Sequence, residues 1–272
     1  MGDNTDKLFS GSIPQLYEEY LVPLIFQPYA ADIAARVAQR EPLSVLEIAA
    51  GTGVVTRELA KRLAPDVQIT ATDLNEPMLA QASTRGTARA VEWRQADAMQ
   101  LPFADGVFDL VVCQFGAMFF PDKPKAFSEV RRVLRPGGTF LFNVWDRIEE
   151  NEFADVVTQT LAAMFPHDPP RFLVRPPHGY HEVQTVAADL AGAGFKEQPE
   201  IATLAMRSRA DSPRAPAIAY CQGTPLRSEI EERDASRLGE ATDLAAEAIA
   251  ARFGRVEVDG KIQAHVIAVS TW

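Results

Sequence analysis

The stretch that most constrains the fold of this chain is residues 43–78, where apolar segments flank a glycine-containing turn. A short apolar run at residues 45–48 has the composition of a buried parallel strand and leads into the turn AAGTG. Residues 54–63 have the apolar spacing of a helix that packs on a sheet, and a second strand then ends at Asp73. This order of strand, turn, helix and strand predicts half of a doubly wound α/β sheet.

The turn and the acid after the second strand predict a nucleoside-binding site. Gly51 and Gly53 allow the backbone to approach a ligand closely, and the next helix presents its N-terminus there. Asp73 lies 20 residues after Gly53, where a carboxylate at a strand end can bind ribose hydroxyls. An ordinary βαβ unit with a glycine turn is the alternative interpretation.

The residues around the turn indicate which nucleoside binds. A dinucleotide fingerprint that starts at Gly51 needs its third glycine at position 56, which is a threonine. Glu47 precedes the turn, and a carboxylate there repels a pyrophosphate but suits a ligand with an ammonium and a sulfonium group. The pattern therefore favours S-adenosylmethionine (SAM) over a nicotinamide dinucleotide.

Length, composition and charge narrow the remaining possibilities. The 272 residues, 47% of them hydrophobic, predict one domain with an insertion. A net charge of −10 gives no global field that favours nucleic acid. No apolar run is long enough for a membrane span, and the first 12 residues lack a secretory signal, so we expect a cytoplasmic protein. Cys113 and Cys221 have neither disulfide-scaffold nor zinc-site spacing, and no metal site is predicted.

The N-terminal residues 12–40 contain two helical patterns, which Pro23 and Pro28 interrupt. They predict a bent helical segment rather than one long helix. This segment is rich in aromatic side chains, which either cover a ligand or anchor the segment on the core. They are Tyr17, Tyr20 and Phe26.

A third strand near Trp93 ends just before Asp97 and Ala98. This pair could offer a carboxylate to the adenine amine and an N–H to a ring nitrogen, or Asp97 is simply a turn residue or helix cap.

The fourth strand, residues 108–113, is followed by Gln114 and Phe115 at its carboxyl end, where ligands bind in open α/β sheets. The apolar side chains that follow form a predicted mouth: Phe115, Met118, Phe119 and Phe120.

A helix at residues 126–134 is predicted to end sharply at the segment RPGG, before a fifth strand at residues 139–145.

The ordered motifs EIAAGTG, TDLNEPML, QADAMQLPF, FDLVVCQFGAMFF and LRPGGTF resemble the class I SAM-dependent methyltransferases. The similarity is to the type 11 group, which includes ubiquinone- and menaquinone-biosynthesis enzymes, and it covers residues 40–146. Ala49 departs from the family, whose turn often has its first glycine there, and its extra methyl predicts a slightly tighter turn.

The resemblance implies a role for each matching position. The methionine end of the cofactor would contact Glu47, Gly51, Gly53 and Gln114, the last through its backbone carbonyl beside Phe115. The ribose would bind Asp73, Leu74 and Met78 would flank the adenine, and Asp97 and Ala98 would read its polar edge.

The C-terminal half predicts the rest of the sheet. Residues 211–254 form a helical cap, inserted between a strand near residue 205 and a final strand. The fold class is thus a mostly parallel, doubly wound, seven-stranded sheet of the Rossmann-like kind. The predicted regions are an N-terminal helical segment at 1–40, the SAM-binding domain at 41–210, the cap at 211–254 and the final strand at 255–272. Within the cap, EIEERD at 229–234 is interpreted as a solvated helix face.

The predicted function is methyl transfer from SAM to a small, at least partly apolar molecule by in-line displacement. A thiol or phenol acceptor needs a base, and the candidates are His178, His181 and Tyr20. A structural or solvent-exposed role is the alternative for each. The cap is expected to select the acceptor. The competing functions are a SAM-binding sensor or partner subunit without transferase activity, and a nicotinamide-dependent oxidoreductase.

Overall fold

The computed structural model describes residues 11–272, which form a seven-stranded mixed sheet with flanking helices. Its strands lie in the order β3-β2-β1-β4-β5-β7-β6, and the pairs formed among β1 to β5 are all parallel. The strands are β1 Ser44–Glu47, β2 Gln68–Asp73, β3 Glu92–Gln95, β4 Phe108–Gln114, β5 Leu134–Trp145, β6 Glu200–Ala210 and β7 Val258–Ser270. The predicted doubly wound fold is confirmed.

Helices connect most of these strands. In the described part of the chain they are α1 Ile13–Leu16, α2 Gln27–Ala38, α3 Val54–Arg62, α4 Glu76–Arg85, α5 Lys123–Val133, α6 Glu152–Met164, α7 Pro176–Gly179, α8 Val183–Gly192, α9 Arg214–Gln222, α10 Leu226–Asp234 and α11 Leu238–Phe253. The three helices α9 to α11 lie between β6 and β7 in the sequence, as predicted for the insertion. Within residues 11–272, we find no helix with the length and apolar character that crossing a membrane requires.

The described chain forms two compact units. The sheet unit contains residues 27–144, 180–204 and 264–272, and the helical unit contains residues 11–26, 145–179 and 205–263. This division differs from the predicted regions, because the N-terminal segment is divided after Phe26. The cap helices also bury their apolar faces against other helices of their own unit: α9 packs on α11 and on residues 17–26, and α11 packs on α6. Positions 1–10 of the predicted N-terminal segment lie outside the described residues.

In the helical unit, the first helix does not stop at Pro23. Helical hydrogen bonding continues through a π-helical segment, Tyr17–Phe26, which contains that proline. A proline has no N–H to donate, and Pro23 lies where the hydrogen-bond pattern has widened from the α-helical to the π-helical spacing. The Tyr17 ring stacks on Phe26 with centroids 4.9 Å apart, and Phe26 lies 6.1 Å from Trp145. These aromatic side chains therefore pack against one another.

The acidic run EIEERD is not a solvated face, because two of its side chains hold the proline-rich segment before α7. Glu229 is 9% exposed, and its Oε2 accepts hydrogen bonds from the Arg171 and Phe172 N–H groups at 2.6 and 3.1 Å. Its Oε1 accepts from Arg175 at 2.7 Å. Arg233, one helical turn further along, donates to the Asp168 carbonyl at 2.6 Å.

In the sheet unit, α5 buries aromatic side chains against β5. The Phe127 ring lies 5.5 Å from Phe140 and 5.4 Å from Phe142, and all three residues are 0% exposed. The helix ends at Val133, and the segment RPGG belongs to the start of β5 rather than to a loop. The pairing of β5 with β4 is irregular there, and Gly137, with φ +80°, donates its N–H to the Thr271 carbonyl. The segment that was predicted to end the helix therefore forms the first, irregularly paired residues of β5.

Candidate active site

The turn between β1 and α3 has a strained, tightly packed backbone. Ala49, Gly51 and Gly53 all have positive φ, of 52°, 57° and 79°. A Cβ atom on Gly53 would lie 2.8 Å from Trp93 Cη2 and 3.1 Å from the Ala82 methyl, closer than van der Waals contact allows. Position 53 therefore requires glycine for both its conformation and its packing.

Ala49 stands where the family's turn often has glycine. Its extra methyl lies beside Gly116, a proximity that the sequence alone did not indicate. A Cβ on Gly116 would lie only 2.4 Å from the Ala49 Cβ and 2.8 Å from Cys113 Sγ. The missing side chain at Gly116, just beyond β4, thus leaves the space that the extra methyl occupies. Alanine has a conformational cost in the left-handed region, and Gly116 provides the room that its methyl needs there.

Glu47, the last residue of β1, is buried with 1% exposure, and its backbone carbonyl accepts from Thr72 Oγ1 at 3.0 Å. Its Oε2 accepts a hydrogen bond from Thr56 Oγ1 at 2.5 Å. Burial raises the pKa of this carboxyl to about 8, and the charge of Asp73 acts in the same direction, whereas the Thr56 hydrogen bond and Arg57 oppose it. A cationic ligand group at this carboxyl would favour its ionised form.

Asp73 links the glycine turn to the end of β2. Its Oδ2 accepts from the Gly51 N–H at 2.8 Å, and its Oδ1 accepts from the Asn75 N–H at 2.8 Å. The Asn75 side-chain amide is a longer contact at 3.4 Å. Burial raises the pKa of Asp73, and these N–H groups oppose that shift. The carboxylate is therefore held at the turn, and its contact with ribose hydroxyls stays a prediction.

The predicted adenine-binding residues lie along the same edge of the sheet. Leu74 is 47% exposed directly after Asp73, while Met78 in α4 is buried. Asp97, beyond the end of β3, is exposed, and its Oδ1 accepts from the Met99 N–H at 2.9 Å. This is the turn geometry that the sequence left open for Asp97, and Ala98 lies half-buried within that turn. An adenine contact by this pair stays a prediction.

The carboxyl end of β4 lies beside that of β1, because Val112 pairs with Glu47 in the sheet register. Gln114 ends β4, and Phe115 follows with φ +52°, an uncommon conformation for a bulky residue. The Phe115 N–H donates to Asn143 Oδ1 at 2.9 Å. Sequence reasoning missed Asn143, although an asparagine inside the apolar segment FLFNVW is a recognisable signal.

The mouth residues predicted after β4 belong to the sheet unit. Phe115 and Met118 are buried, and the Phe115 ring contacts Tyr29 edge-on at 5.3 Å. Phe119 and Phe120 are half-buried.

The candidate bases have different surroundings. His178 is buried in the helical unit, and its Nδ1 lies 2.8 Å from the Asp146 carbonyl oxygen, an acceptor, so Nδ1 carries the proton. His181, in the sheet unit, pairs through Nε2 with Glu182 at 3.1 Å, and its side chain is 30% exposed. Tyr20 is half-buried within the π-helical segment. Across residues 11–272, no group of three or more His, Cys, Asp or Glu side chains is arranged to bind a metal ion.

Comparison with known proteins gives matches to this part of the chain. A family model described as a methyltransferase domain matches residues 46–142. The demethylmenaquinone methyltransferase of Thermus thermophilus is 42% identical over 111 residues, which are 40% of this chain and 49% of that protein. The ubiquinone/menaquinone biosynthesis C-methyltransferase UbiE of Idiomarina loihiensis is 35% identical over 130 residues, 46% of this chain and 49% of that protein. The chain thus spans about half the length of these curated relatives.

Solved structures share the fold. Phosphoethanolamine N-methyltransferase 2 of Haemonchus contortus matches with a TM-score of 0.60 at 19% identity, over 98% of this chain and 59% of that chain. The strand order, the glycine turn and the matched family model agree with one another. Residues 46–142 therefore match a methyltransferase domain, within a fold that the chain shares with the Rossmann-like class I methyltransferases.

Proposed function

We propose that this chain transfers the methyl group of SAM to a small, at least partly apolar molecule. The observation that carries the proposal is the hydrogen bond between the Asp73 carboxylate and the Gly51 N–H, at 2.8 Å. It holds a ribose-binding acid against a turn where a Cβ on Gly53 would collide with Trp93. Glu47 adds a carboxyl group that suits a ligand whose methionine end is cationic.

The residues of the sheet unit fit this cofactor. A bound SAM supplies an already activated methyl group, so the protein has to position it and exclude water. The Asp73 carboxylate would bind ribose hydroxyls, and Gly51 and Gly53 would let the backbone approach the methionine end. Leu74 and Met78 would flank the adenine, with Asp97 and Ala98 at its polar edge. Gln114 would offer its backbone carbonyl to the methionine ammonium.

The apolar residues after β4 and the relatives support the proposed acceptor class. Phe119 and Phe120 are half-buried after β4, and their exposed apolar surface would favour an acceptor with an apolar part over a nucleic acid. The matched relatives are named for methylation of demethylmenaquinone and for ubiquinone and menaquinone biosynthesis. We therefore place quinone-like aromatic molecules first among the acceptors to test.

A phenol or thiol acceptor would need a base. Among the three candidates, His178 is held by an Nδ1–H that it donates to the Asp146 carbonyl. His181 is engaged with Glu182, and Tyr20 would act through its hydroxyl. We leave the three candidates open: a fall in kcat with unchanged SAM affinity in only one of His178→Ala, His181→Ala and Tyr20→Phe would identify that residue as the base.

The cap, residues 211–254, is proposed to affect acceptor choice more than cofactor binding. The matched family model ends at residue 142, so it contains the cofactor motifs and none of the cap. Substitutions of apolar cap residues should therefore raise the KM of the acceptor and leave the Kd of SAM unchanged. A weaker SAM affinity with unchanged acceptor KM would contradict this assignment.

Two other functions compete. A nicotinamide-dependent oxidoreductase is disfavoured because Thr56 occupies the third glycine position and donates to Glu47. A SAM-binding sensor would have the same cofactor contacts, since fold alone does not determine activity. Incubation with methyl-labelled SAM and a panel of phenols, hydroquinones, thiols and amines distinguishes the methyltransferase from the sensor. Methylated product supports the enzyme, whereas tight SAM binding without turnover of any acceptor supports the sensor.

A further inference from the structure

Asn143 is a buried polar residue in an apolar strand. It lies in β5, is 0% exposed, and pairs with Gln114 of β4 in the sheet register. Its Nδ2 is also buried and has no hydrogen-bond partner among residues 11–272. A buried donor without a partner costs free energy that an apolar side chain would avoid. The contribution of Asn143 to the core therefore does not by itself explain an asparagine at this position.

What Asn143 does bind is the peptide group between Gln114 and Phe115. The Phe115 N–H donates to both oxygens of Asn143, to Oδ1 at 2.9 Å and to the backbone carbonyl at 3.2 Å. Phe115 has φ +52°, which is strained for a bulky side chain. Two acceptors on one N–H hold this peptide group in place where the chain leaves β4.

This hydrogen bond determines the direction of the Gln114 carbonyl. In a trans peptide the C=O and the following N–H point in opposite directions, and no cis peptide bond occurs among the described residues. Since the Phe115 N–H points to β5, and β4 lies between β1 and β5, the Gln114 carbonyl points to the β1 side. Val112, two residues earlier, uses its carbonyl on that side to accept from the Ile48 N–H at 2.9 Å. The Gln114 carbonyl therefore lies beyond the last residue of β1, where the glycine turn begins.

We propose that Asn143 is a positioning residue that aims the Gln114 carbonyl at the ammonium group of the cofactor's amino-acid end. The inference rests on the proposed function and adds a residue that does not itself contact the ligand. A carbonyl that is already oriented accepts a hydrogen bond from an ammonium without loss of conformational freedom on binding. Asn143 thereby contributes to affinity for the amino-acid end and not for the adenosine.

The test compares two ligands that differ only at that end. S-adenosylhomocysteine carries the amino acid, whereas 5′-deoxy-5′-methylthioadenosine keeps the adenosine and the thioether but lacks it. Calorimetry on Asn143→Ala and Asn143→Leu should show S-adenosylhomocysteine weakened roughly 10- to 150-fold, as for loss of one charged hydrogen bond. Methylthioadenosine should stay within about threefold of the wild-type affinity.

Asp109→Ala is the matched control, because Asp109 binds the Leu43 and Ser44 N–H groups at the opposite end of β4, at 2.9 and 2.8 Å. It should destabilise the fold and leave the affinity ratio of the two ligands unchanged. Equal losses for both ligands in the Asn143 variants, loss of all methylthioadenosine binding, or no loss for either ligand would overturn the inference. A wild-type protein that binds neither ligand would overturn the proposed function itself, and the inference with it.

Discussion

Thr56 Oγ1 donates a hydrogen bond to Glu47 Oε2 over 2.5 Å, which ties the first turn of α3 to the end of β1. Thr56 is 0% exposed and stands at the position where a dinucleotide-binding turn has its third glycine. A glycine there would permit closer helix–strand packing but would remove the donor that Glu47 uses. The same side chain thus disfavours a dinucleotide and supports the buried acid of the proposed cofactor site.

The raised pKa of Glu47 predicts a specific pH dependence of stability. Its pKa rises from 4.5 to about 8 in the folded protein, so between these values the folded state holds a proton that the unfolded state has released. The stability that this proton provides is fully present below pH 4.5 and is lost as the pH rises to about 8. Glu47→Gln has no titratable group at this position. The free energy of unfolding of the variant, measured with denaturant, should therefore increase relative to that of the wild type as the pH rises from 4.5 to about 8. A difference that is independent of pH would contradict the assignment.

Gly116 and Ala49 should be energetically coupled. Gly116 has φ −97°, which alanine tolerates, so Gly116→Ala tests the contacts with the Ala49 methyl and Cys113 Sγ without added backbone strain. We expect Gly116→Ala to destabilise the protein by about 1–3 kcal/mol through overpacking. In the Ala49→Gly background the cost should fall by about 1 kcal/mol, with the contact to Cys113 Sγ accounting for the remainder. Additive free energies of unfolding in this double-mutant cycle would show that the two positions do not share this space.

Glu229 should contribute more to stability than its neighbours on α10. Glu229→Ala leaves two backbone N–H groups and Arg175 without their acceptor, and a hydrogen bond of this charged kind is worth about 1.5–3 kcal/mol. Glu231→Ala on the same helix is the control, because Glu231 only forms a surface pair with Arg227 and should cost under about 1 kcal/mol. Equal losses of unfolding free energy in the two variants would contradict the anchoring role.

The sequence predicted the sheet where local signals were strong. The apolar run of β1, the glycines of the turn and the acid at Asp73 together defined one half of the fold, and the strand order confirms it. The inward position of Glu229 was not predictable, because EIEERD has no apolar period and its partners lie more than 50 residues away. The same holds for Gly116 beside Ala49, since a missing side chain is visible only once two segments are packed together. The division after Phe26 depends likewise on helix packing that periodicity does not encode.

The most direct test of the proposed cofactor site is calorimetric binding of S-adenosylhomocysteine and NAD to the wild type and to Asp73→Ala. The Asp73 carboxylate holds the Gly51 N–H at 2.8 Å and is the proposed ribose acceptor. Loss of one charged hydrogen-bonding partner costs about 1.5–3 kcal/mol, so the variant should bind S-adenosylhomocysteine roughly 10- to 150-fold more weakly, and NAD should bind neither protein. Unchanged S-adenosylhomocysteine affinity in Asp73→Ala, or NAD binding tighter than that of S-adenosylhomocysteine in the wild type, would contradict the central claim.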